Sequence, residues 1–396
     1  MNAIDFPTLG LLLFVAALVA ILTRRLHVPY SVGLVVAGMA LALTPVGPRL
    51  TITPELIYQL LLPPLIFEAA IQIPWKPFRR ELPLLLVLVT LGVGLAAALV
   101  AGGMHWLAGW SWIGAALFGV LIAATDPVAV IAAFKEVKVE ERLHLLVEAE
   151  SLLNDGVAAL GFAVLVAIAA GASVGPLAIS SNLVVIALGG AACGLAVGGA
   201  ALLIAGRTSD PLVEITLTML AAYGAFLLAE HFHMSGVLAA LAAGILIGNL
   251  GSLGSISHEG RPAILAFWDV AAFLANSFVF LLIGSAVTRV PLIAALPLAM
   301  LATALSLLGR SLTVYPLSLA FARTRLAVPW KYKHVLFWGG LRGALALALA
   351  LALPTSVAER GQIITAAFLV VAFSIFVQGL TMKPLIRRLG LLQLDR

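Results

Sequence analysis

Apolar runs of about 20 residues recur along nearly the whole of this 396-residue chain. Each run is long enough to cross a hydrocarbon core of roughly 30 Å as an α-helix. With 62% hydrophobic and 10% charged residues, the chain holds more apolar surface than one water-soluble core can bury. The runs are apolar on all sides, whereas the strands of a membrane barrel alternate apolar with polar residues. The sequence therefore predicts an all-α polytopic membrane protein.

We count thirteen apolar runs, and their bounds set the predicted topology. The first is preceded by Asp5 rather than by a basic leader, which favours a retained span over a cleaved signal peptide. Few residues follow the last run, so we expect no soluble C-terminal regulatory domain. The predicted spans are 6–23, 28–44, 54–73, 82–108, 112–134, 143–170, 180–206, 212–233, 235–250, 263–287, 291–322, 333–353 and 362–386.

Most of the 23 Lys and Arg residues fall on one side of the predicted membrane. The opposite side carries only Arg49, Arg289 and Arg360, while Arg310 and Arg342 fall at membrane depth. Because basic loops stay in the cytoplasm, we expect the N-terminus outside and the C-terminus inside, in a plasma membrane. The net charge of +5 is explained by this orientation, and no nucleic-acid partner is expected.

Six runs on either side of a seventh predict two repeats of inverted topology. The first repeat is expected at 1–179, a linker helix at 180–206 and the second repeat at 207–396, all within a single transmembrane unit. No strong sequence identity links the two halves, so this prediction depends on the number and the orientation of the runs.

Two runs in matching positions of the two halves are interrupted. Thr-Asp-Pro at 125–127 breaks the fifth run, and Gly-Gly-Leu-Arg-Gly at 339–343 lies at the start of the twelfth. Interrupted helices in matching positions indicate a binding site near the membrane midplane, where the unwound backbone lines an enclosed cavity. Taken singly, Pro127 is equally typical of an ordinary kink, and the glycines of close helix packing.

Several carboxylates fall inside the predicted spans. They are Glu68, Asp126, Glu150, Asp155 and Asp269. A bare carboxylate at mid-membrane is unfavourable by several kcal/mol, so such residues face a water-filled path or pair with a base. We therefore expect these residues to mark an ion pathway.

The segment Glu150-Ser151-Leu152-Leu153-Asn154-Asp155 brings a hydroxyl, an amide and a carboxylate together. Ser151 and Asp155 are four residues apart and share a helix face, beside that of Glu150 and Asn154. Such oxygen ligands suit a hard monovalent cation, and a poorly solvated carboxylate also binds protons. One site at Asp155 can thus take either ion, which is the requirement for exchange by alternating access.

Glu150 needs a base, because two free carboxylates so close would repel each other. Arg310, in the middle of the eleventh run, is the favoured partner, and Arg342 is the alternative. Such a pair would brace the protein rather than transport an ion. Glu68 is equally consistent with a gating or ligand role and with a carboxylate that reaches toward the nearby membrane surface. The Asn-Ser pair at 276–277 fits further polar lining or interhelical hydrogen bonds.

Together these motifs resemble the monovalent cation:proton antiporter-1 family, which includes bacterial NhaP-type and animal sodium/proton exchangers. The motifs that carry the resemblance are 65–70, 125–127, 150–156, 276–284 and 339–343. The resemblance implies an NhaA-like fold of about thirteen helices, in which helices 5 and 12 cross with unwound middles. It also implies a dimerisation domain, a homodimer and an elevator-like movement of a six-helix core.

The resemblance also implies roles for individual residues. Asp155 would bind the transported ion, assisted by Asn154 and Ser151, with a carbonyl of Thr125 and with Asp126 close by. Further from this centre, Glu68 would line the cation path, and Glu150 would pair with Arg310. The Asn-Asp pair at 154–155 resembles electroneutral one-for-one exchangers, whereas a related branch with two aspartates is electrogenic.

Other functional classes fit the residues less well. A cation channel would not need a site that switches between proton and cation loading. An intramembrane enzyme would need a nucleophile with a base, and no His lies within one helical turn of Ser151. We therefore expect no enzyme and no cofactor, but a cation/proton antiporter for Na⁺, with Li⁺ or K⁺ as alternatives, that serves pH regulation and salt tolerance.

Overall fold

The computed structural model describes most of the chain as helix. The described residues are 6–26, 28–44, 56–171, 176–251, 254–287 and 292–391. Arg49, Arg289 and both termini, which entered the predicted orientation, lie outside them.

The described residues contain sixteen α-helices, two short π-helical segments and no β-strand. This part of the chain is therefore all-helical, as the apolar runs predict. The π-helical segments are Leu56–Leu61, which leads into α3, and Ser374–Gly379, which leads into α16. The α-helices are α1 Phe6–Leu26, α2 Tyr30–Leu43, α3 Leu62–Gln72, α4 Trp75–Ala108, α5 Trp112–Leu121, α6 Val128–Val137, α7 Glu141–Ala169, α8 Pro176–Ala205, α9 Pro211–His231, α10 Gly236–Leu250, α11 Gly260–Val287, α12 Leu292–Ala320, α13 Trp330–Trp338, α14 Ala344–Leu351, α15 Arg360–Phe373 and α16 Leu380–Arg388.

Eight helical stretches of the described residues are long and apolar enough to cross a membrane. They lie in α1, α4, α7, α8, α9, α11 and α12, and in the continuous stretch Arg360–Arg388. Large apolar side chains remain exposed on them, such as Phe14 at 66% and Leu203 at 76%. A helix satisfies its own backbone hydrogen bonds, so these surfaces are suited to lipid. The chain is an integral, multi-pass membrane protein.

Both predicted interruptions are present as helix breaks. The first separates α5 from α6 at residues 122–127. The second separates α13 from α14 at residues 339–343 and lies in the middle of its helix pair, not at the start as we expected. The expected start at 333 was wrong because α13 begins at Trp330, directly after Pro329, and carries two lysines in its first turns.

Close packing positions the broken helices inside the bundle. All residues from Ala344 to Ala350 of α14 are buried, as expected for a segment that is apolar on every side. α14 packs on α5, α7 and α15, and α4 packs on α5 and α12. At the α2–α11 contact, an added Cβ at Gly284 would collide with the carbonyl of Val35. Small residues of this kind let membrane helices approach closely and gain van der Waals contact.

Candidate functional site

The two helix breaks meet, and Asp126 joins them. Its backbone N–H donates to the carbonyl of Leu341 at 2.7 Å. Its carboxylate accepts the N–H of Val128 at 2.9 Å, where α6 begins, and the N–H of Ala344, where α14 begins. The first N–H groups of a helix lack helical partners and carry partial positive charge, so an anionic cap stabilises them. One carboxylate thus caps two half-helices at their crossing.

Gly343 leaves room for this cap. A Cβ built at Gly343 would collide with the carboxylate of Asp126. Its φ of −147° is an extended value that any residue can adopt, so the position requires space rather than conformational freedom. Gly340 leaves room for Arg310 in the same way, since Nε of Arg310 lies 2.6 Å from the corresponding Cβ position. The glycines of the second break therefore let side chains from other helices reach it.

Arg342 binds the opposite break rather than Glu150. Its Nη1 donates to the carbonyl of Ala123 at 2.7 Å and to that of Ala124 at 3.0 Å. These carbonyls lose their helical partners where the chain unwinds after α5, and a buried unpaired carbonyl is unfavourable in a membrane. The guanidinium of Arg342 is itself buried, with 4% of the residue exposed. The alternative that paired Arg342 with Glu150 was wrong.

Two polar side chains of α7 hold the same unwound segment. The amide of Asn154 donates to the carbonyl of Ala123 at 3.0 Å and to the hydroxyl of Thr125 at 2.9 Å. The hydroxyl of Ser151 donates to the carbonyl of Thr125. All three polar residues are buried. The predicted neighbours Thr125, Ser151 and Asn154 are therefore brought together, and they fix the backbone of the first break.

Asp155 completes this group from one turn further along α7. The backbone N–H of Thr125 donates to its carboxylate. Its Oδ1 is buried and has no hydrogen-bond partner among the described residues, and the same holds for Oδ1 of Asn154. Buried oxygens are almost always partnered in native proteins, and such exceptions are typical of places where an ion or water binds. One carboxylate oxygen and one amide oxygen are thus available to an ion.

Glu150 and Arg310 are in contact. Arg310 donates from Nη1 to Oε1 of Glu150 at 2.6 Å and from Nη2 to Oε2 at 2.7 Å, a bidentate arrangement. Nε and Nη2 also donate to the carbonyl of Leu336 at 3.2 and 2.8 Å. The two charged residues are 3% and 8% exposed, so the pair is buried. It joins α7, α12 and the end of α13.

A cavity of about 530 Å³ reaches Asp155 from one face of the protein. The exposed residues Arg24 and Gln72 line it, so it opens where α1 and α3 end and α7 begins. We call this end of the bundle the basic face, because Arg24 and Arg25 end α1 there. Polar residues line the cavity along its length: Thr23, Arg24, Tyr30, Glu68, Gln72, Thr125, Asp126, His144, Glu148, Asp155, Asp269 and Asn276.

The remaining predicted residues divide between this cavity and the surrounding packing. Glu68 lines the cavity and accepts a hydrogen bond from Nε2 of Gln72 at 2.5 Å. Asn276 lines the cavity as well. Ser277 does not line it, and shares a hydrogen bond of 2.8 Å with the hydroxyl of Tyr30 between α2 and α11.

His144 and Glu148 were not predicted from the sequence. They line the cavity on the same helix as Asp155, and Nδ1 of His144 lies 3.5 Å from the carboxylate of Glu148. Their spacing, four residues apart with Asp155 seven residues further on, puts all three on one face of α7. That periodicity is visible in the sequence and could have identified them.

Comparisons with known proteins identify a single family. Residues 11–388 match the model of the family described as "Sodium/hydrogen exchanger, transmembrane". The chain is 37% identical to the Na(+)/H(+) antiporter ApNhaP of Aphanothece halophytica, over 97% of this chain and 74% of that protein. It is 31% identical to the Na(+)/H(+) antiporter NhaH of Halobacillus aidingensis, over 98% of both. The fold is similar to that of the sodium proton antiporter MjNhaP1 of Methanocaldococcus jannaschii, with a TM-score of 0.76, 22% identity and coverage of 96% of this chain and 97% of that one.

Proposed function

Because this chain belongs to the sodium/hydrogen exchanger family, we propose that it exchanges a monovalent cation, Na⁺ above all, for protons across a membrane. Proteins of this family are transporters rather than enzymes. One observation carries the proposal: Asp155 lines a cavity beside the first helix break, and its buried Oδ1 has no hydrogen-bond partner among the described residues.

Competition at Asp155 couples the two ions. A carboxylate binds either a proton or a cation at the same oxygens, so the two loaded forms exclude each other. Asn154 and Ser151 shape the site, with Thr125 supplying backbone and hydroxyl oxygens. Loaded forms cross, whereas the empty, charged form crosses poorly because its charge is unfavourable in a low-dielectric interior.

We propose that exchange is electroneutral, one cation for one proton. Asn154 contributes a neutral amide, and its NH₂ group is engaged with the first break. The carboxylate of Asp126 is engaged as the cap of α6 and α14. Asp155 is therefore the one carboxylate of this group with an oxygen available, and we assign Asp126 a supporting electrostatic role.

Glu68 is assigned to the cation path rather than to the ion site. It lines the cavity and accepts a hydrogen bond from Gln72, an exposed residue at the end of α3. Its charge raises the local cation concentration along the path to Asp155. This role predicts that loss of Glu68 weakens cation uptake without abolishing exchange.

We also propose the finer architecture that the sequence predicts. Thirteen spans, with α5–α6 and α13–α14 each forming one broken span, would give repeats at 1–179 and 207–396 joined by the helix at 180–206. The two crossed breaks support this arrangement, because inverted repeats place interrupted helices in matching positions. An outside N-terminus, a plasma-membrane location, a homodimer and a role in salt tolerance stay predictions.

Reconstitution tests the function directly. Purified protein in proteoliposomes with an entrapped pH dye and an imposed pH gradient should show cation-dependent dissipation of the gradient with Na⁺, without current. Asp155→Ala and Asp155→Asn should abolish it, while Glu141→Gln, an exposed carboxylate on the same helix, should not. Retained coupled exchange in Asp155→Ala would refute the assignment of the site.

The same assay separates the alternatives. Addition of K⁺, Li⁺ or Ca²⁺ in place of Na⁺ gives the selectivity, and a preference for K⁺ would identify a K⁺/H⁺ antiporter. A cation current that needs no pH gradient would identify a channel. Such a current would be incompatible with an exchange step at Asp155.

A further inference from the structure

Glu359 and Arg360, neighbours in the chain, reach the outer ends of two different half-helices. Glu359 lies directly before α15, on the face opposite the basic face. Its Oε1 accepts the backbone N–H of Ser111 at 2.8 Å, and its Oε2 accepts the hydroxyl of Ser111 at 2.9 Å. Ser111 is the N-cap of α5, so the carboxylate lies at the positive end of that helix.

Arg360 binds the negative end of the other half-helix. Its Nε donates to the carbonyl of Leu353 at 2.8 Å, and its Nη2 donates to that of Leu351 at 3.2 Å. Leu351 is the last residue of α14, where carbonyls lack helical partners. A cation at a helix C-terminus is favourable for the same reason that an anion is favourable at an N-terminus. The negative charge therefore lies at the positive N-terminus of α5, and the positive charge lies at the negative C-terminus of α14.

The helices that this pair caps are those that lead into the ion site. α5 has 10 residues and runs into the break that holds Thr125, while α14 has 8 residues and starts beside Asp126. At about 1.5 Å per residue, each cap lies only about 12–15 Å from the site. Neither half-helix continues through its break, so helical hydrogen bonds do not fix their mutual position.

A further hydrogen bond joins the start of α5 to α15. Nε1 of Trp110, which is 2% exposed and lies just before α5, donates to Oε1 of Gln362 on α15 at 2.7 Å. Burial alone would raise the pKa of Glu359, but the hydrogen bonds from Ser111 outweigh it and hold that pKa below its usual value. A lowered pKa means that this contribution is lost only as pH falls through the acidic range, so the cap is charged between pH 5 and 9.

We propose that Glu359 and Arg360 are positioning residues that set the cation affinity of the site, by fixing the outer halves of the two broken helices relative to each other. This inference rests on the proposed exchange function. A binding site made from two separate segments depends on their relative position, and misplacement by a fraction of an ångström weakens it. Loss of either cap removes one restraint on the relative position of α5 and α14.

The test compares cation affinity with maximal rate. Exchange by the full chain in proteoliposomes is measured over a range of Na⁺ concentrations for Glu359→Gln, Arg360→Gln and the double variant. We expect the half-saturating Na⁺ concentration to rise roughly three- to tenfold, with a smaller loss of maximal rate. Glu359→Asp should restore most of the affinity. Glu259→Gln is the matched control, because Glu259 also lies directly before a helix, α11, but is exposed.

A second measurement needs no transport. Na⁺ that binds the folded protein raises its melting temperature by mass action, and this rise sets in near the Na⁺ concentration that half-occupies the site. We call that concentration the Na⁺ midpoint, and it reports the affinity of purified protein. The midpoint should move by the same factor as the half-saturating concentration. If Glu359→Gln or Arg360→Gln cannot be purified folded, Ser111→Ala removes one bond to the carboxylate while the backbone N–H remains, and a smaller shift in the same direction is expected.

The outcomes distinguish this inference from the proposed function. If wild-type protein fails to exchange cations for protons, the proposed function fails. If wild-type protein exchanges them but the variants keep the wild-type half-saturating concentration, the two residues are only a structural brace and the inference is wrong. A lower melting temperature at an unchanged Na⁺ midpoint would also overturn the inference.

Discussion

The ion pair between Glu150 and Arg310 allows a stability prediction to be worked from its geometry. Glu150→Ala removes two charge-assisted hydrogen bonds, of 2.6 and 2.7 Å. At about 1.5–3 kcal/mol each, their loss lowers the free energy of unfolding by about 3–6 kcal/mol. The range for breaking a buried pair by removal of one partner is about 3–5 kcal/mol. Both estimates give a large loss in the free energy of unfolding, because Arg310 stays buried with only the carbonyl of Leu336 as a partner.

A series of variants separates the pair from the loss of a side chain. Glu150→Gln keeps the shape and one acceptor, so we expect about half the loss of Glu150→Ala. Replacement of both Glu150 and Arg310 by Met removes both charges and leaves the Leu336 carbonyl without its donor. We expect the double variant to lose only about 1–3 kcal/mol, less than Glu150→Ala alone. Glu141→Ala, exposed on the same helix, is the control and should be neutral.

Thermal unfolding of purified protein in detergent is the assay, because it does not require transport. Glu150→Ala should melt several degrees below wild type, with the double variant between them. A melting temperature for Glu150→Ala within 1 °C of wild type would refute the bracing role. If the loss of stability in the double variant equals the sum of the losses in the two single variants, the two side chains act independently.

Three further predictions concern the ion site and its crossing. Arg342→Gln should lower the melting temperature and slow exchange at least tenfold, since two carbonyls of the first break lose their charged donor; normal exchange would contradict this role. Gly343→Ala should abolish exchange because its Cβ meets the Asp126 carboxylate, whereas Gly94→Ala, which faces open space, should be tolerated. The half-saturating Na⁺ concentration should rise as pH falls, by up to about tenfold per pH unit, because protons compete for Asp155; a flat profile from pH 5 to 9 would exclude that competition.

Part of the fold and of the candidate site could be predicted from the sequence, because a charge is strongly unfavourable in lipid. An apolar run of sufficient length has few stable alternatives to a helix, and a carboxylate inside it must find a partner or a water-filled path. Those two rules led from the sequence to the helical bundle, to the break at 125–127 and to Glu150 as a residue in need of a base. Arg310 followed as the favoured partner because it lies in the middle of the eleventh run.

The rest depends on how separate segments meet in space. Arg342 has the same chemistry as Arg310, and only the crossing of the two breaks directs it to the carbonyls of Ala123 and Ala124. The double cap made by Asp126 requires the starts of α6 and α14 to lie side by side, which no local pattern encodes. The second break was misplaced because the apolar run was taken to begin at 333, whereas α13 begins at Trp330 and includes Lys331 in its first turn.

The charges of the residues around the two helix breaks give a physical reason to propose one-for-one exchange. Glu150, Asp126 and Asp155 contribute three negative charges when ionised, and Arg310 and Arg342 contribute two positive charges, so the empty site has a net charge of −1. A bound Na⁺ and a bound proton each bring this sum to zero. The two loaded forms are therefore alike in charge, and both can cross a low-dielectric region that the empty form cannot cross readily. An additional carboxylate at Asn154 would make the empty site −2 and require a second positive charge for the same crossing, so in the proposed mechanism the amide at this position limits the exchange to one ion each way.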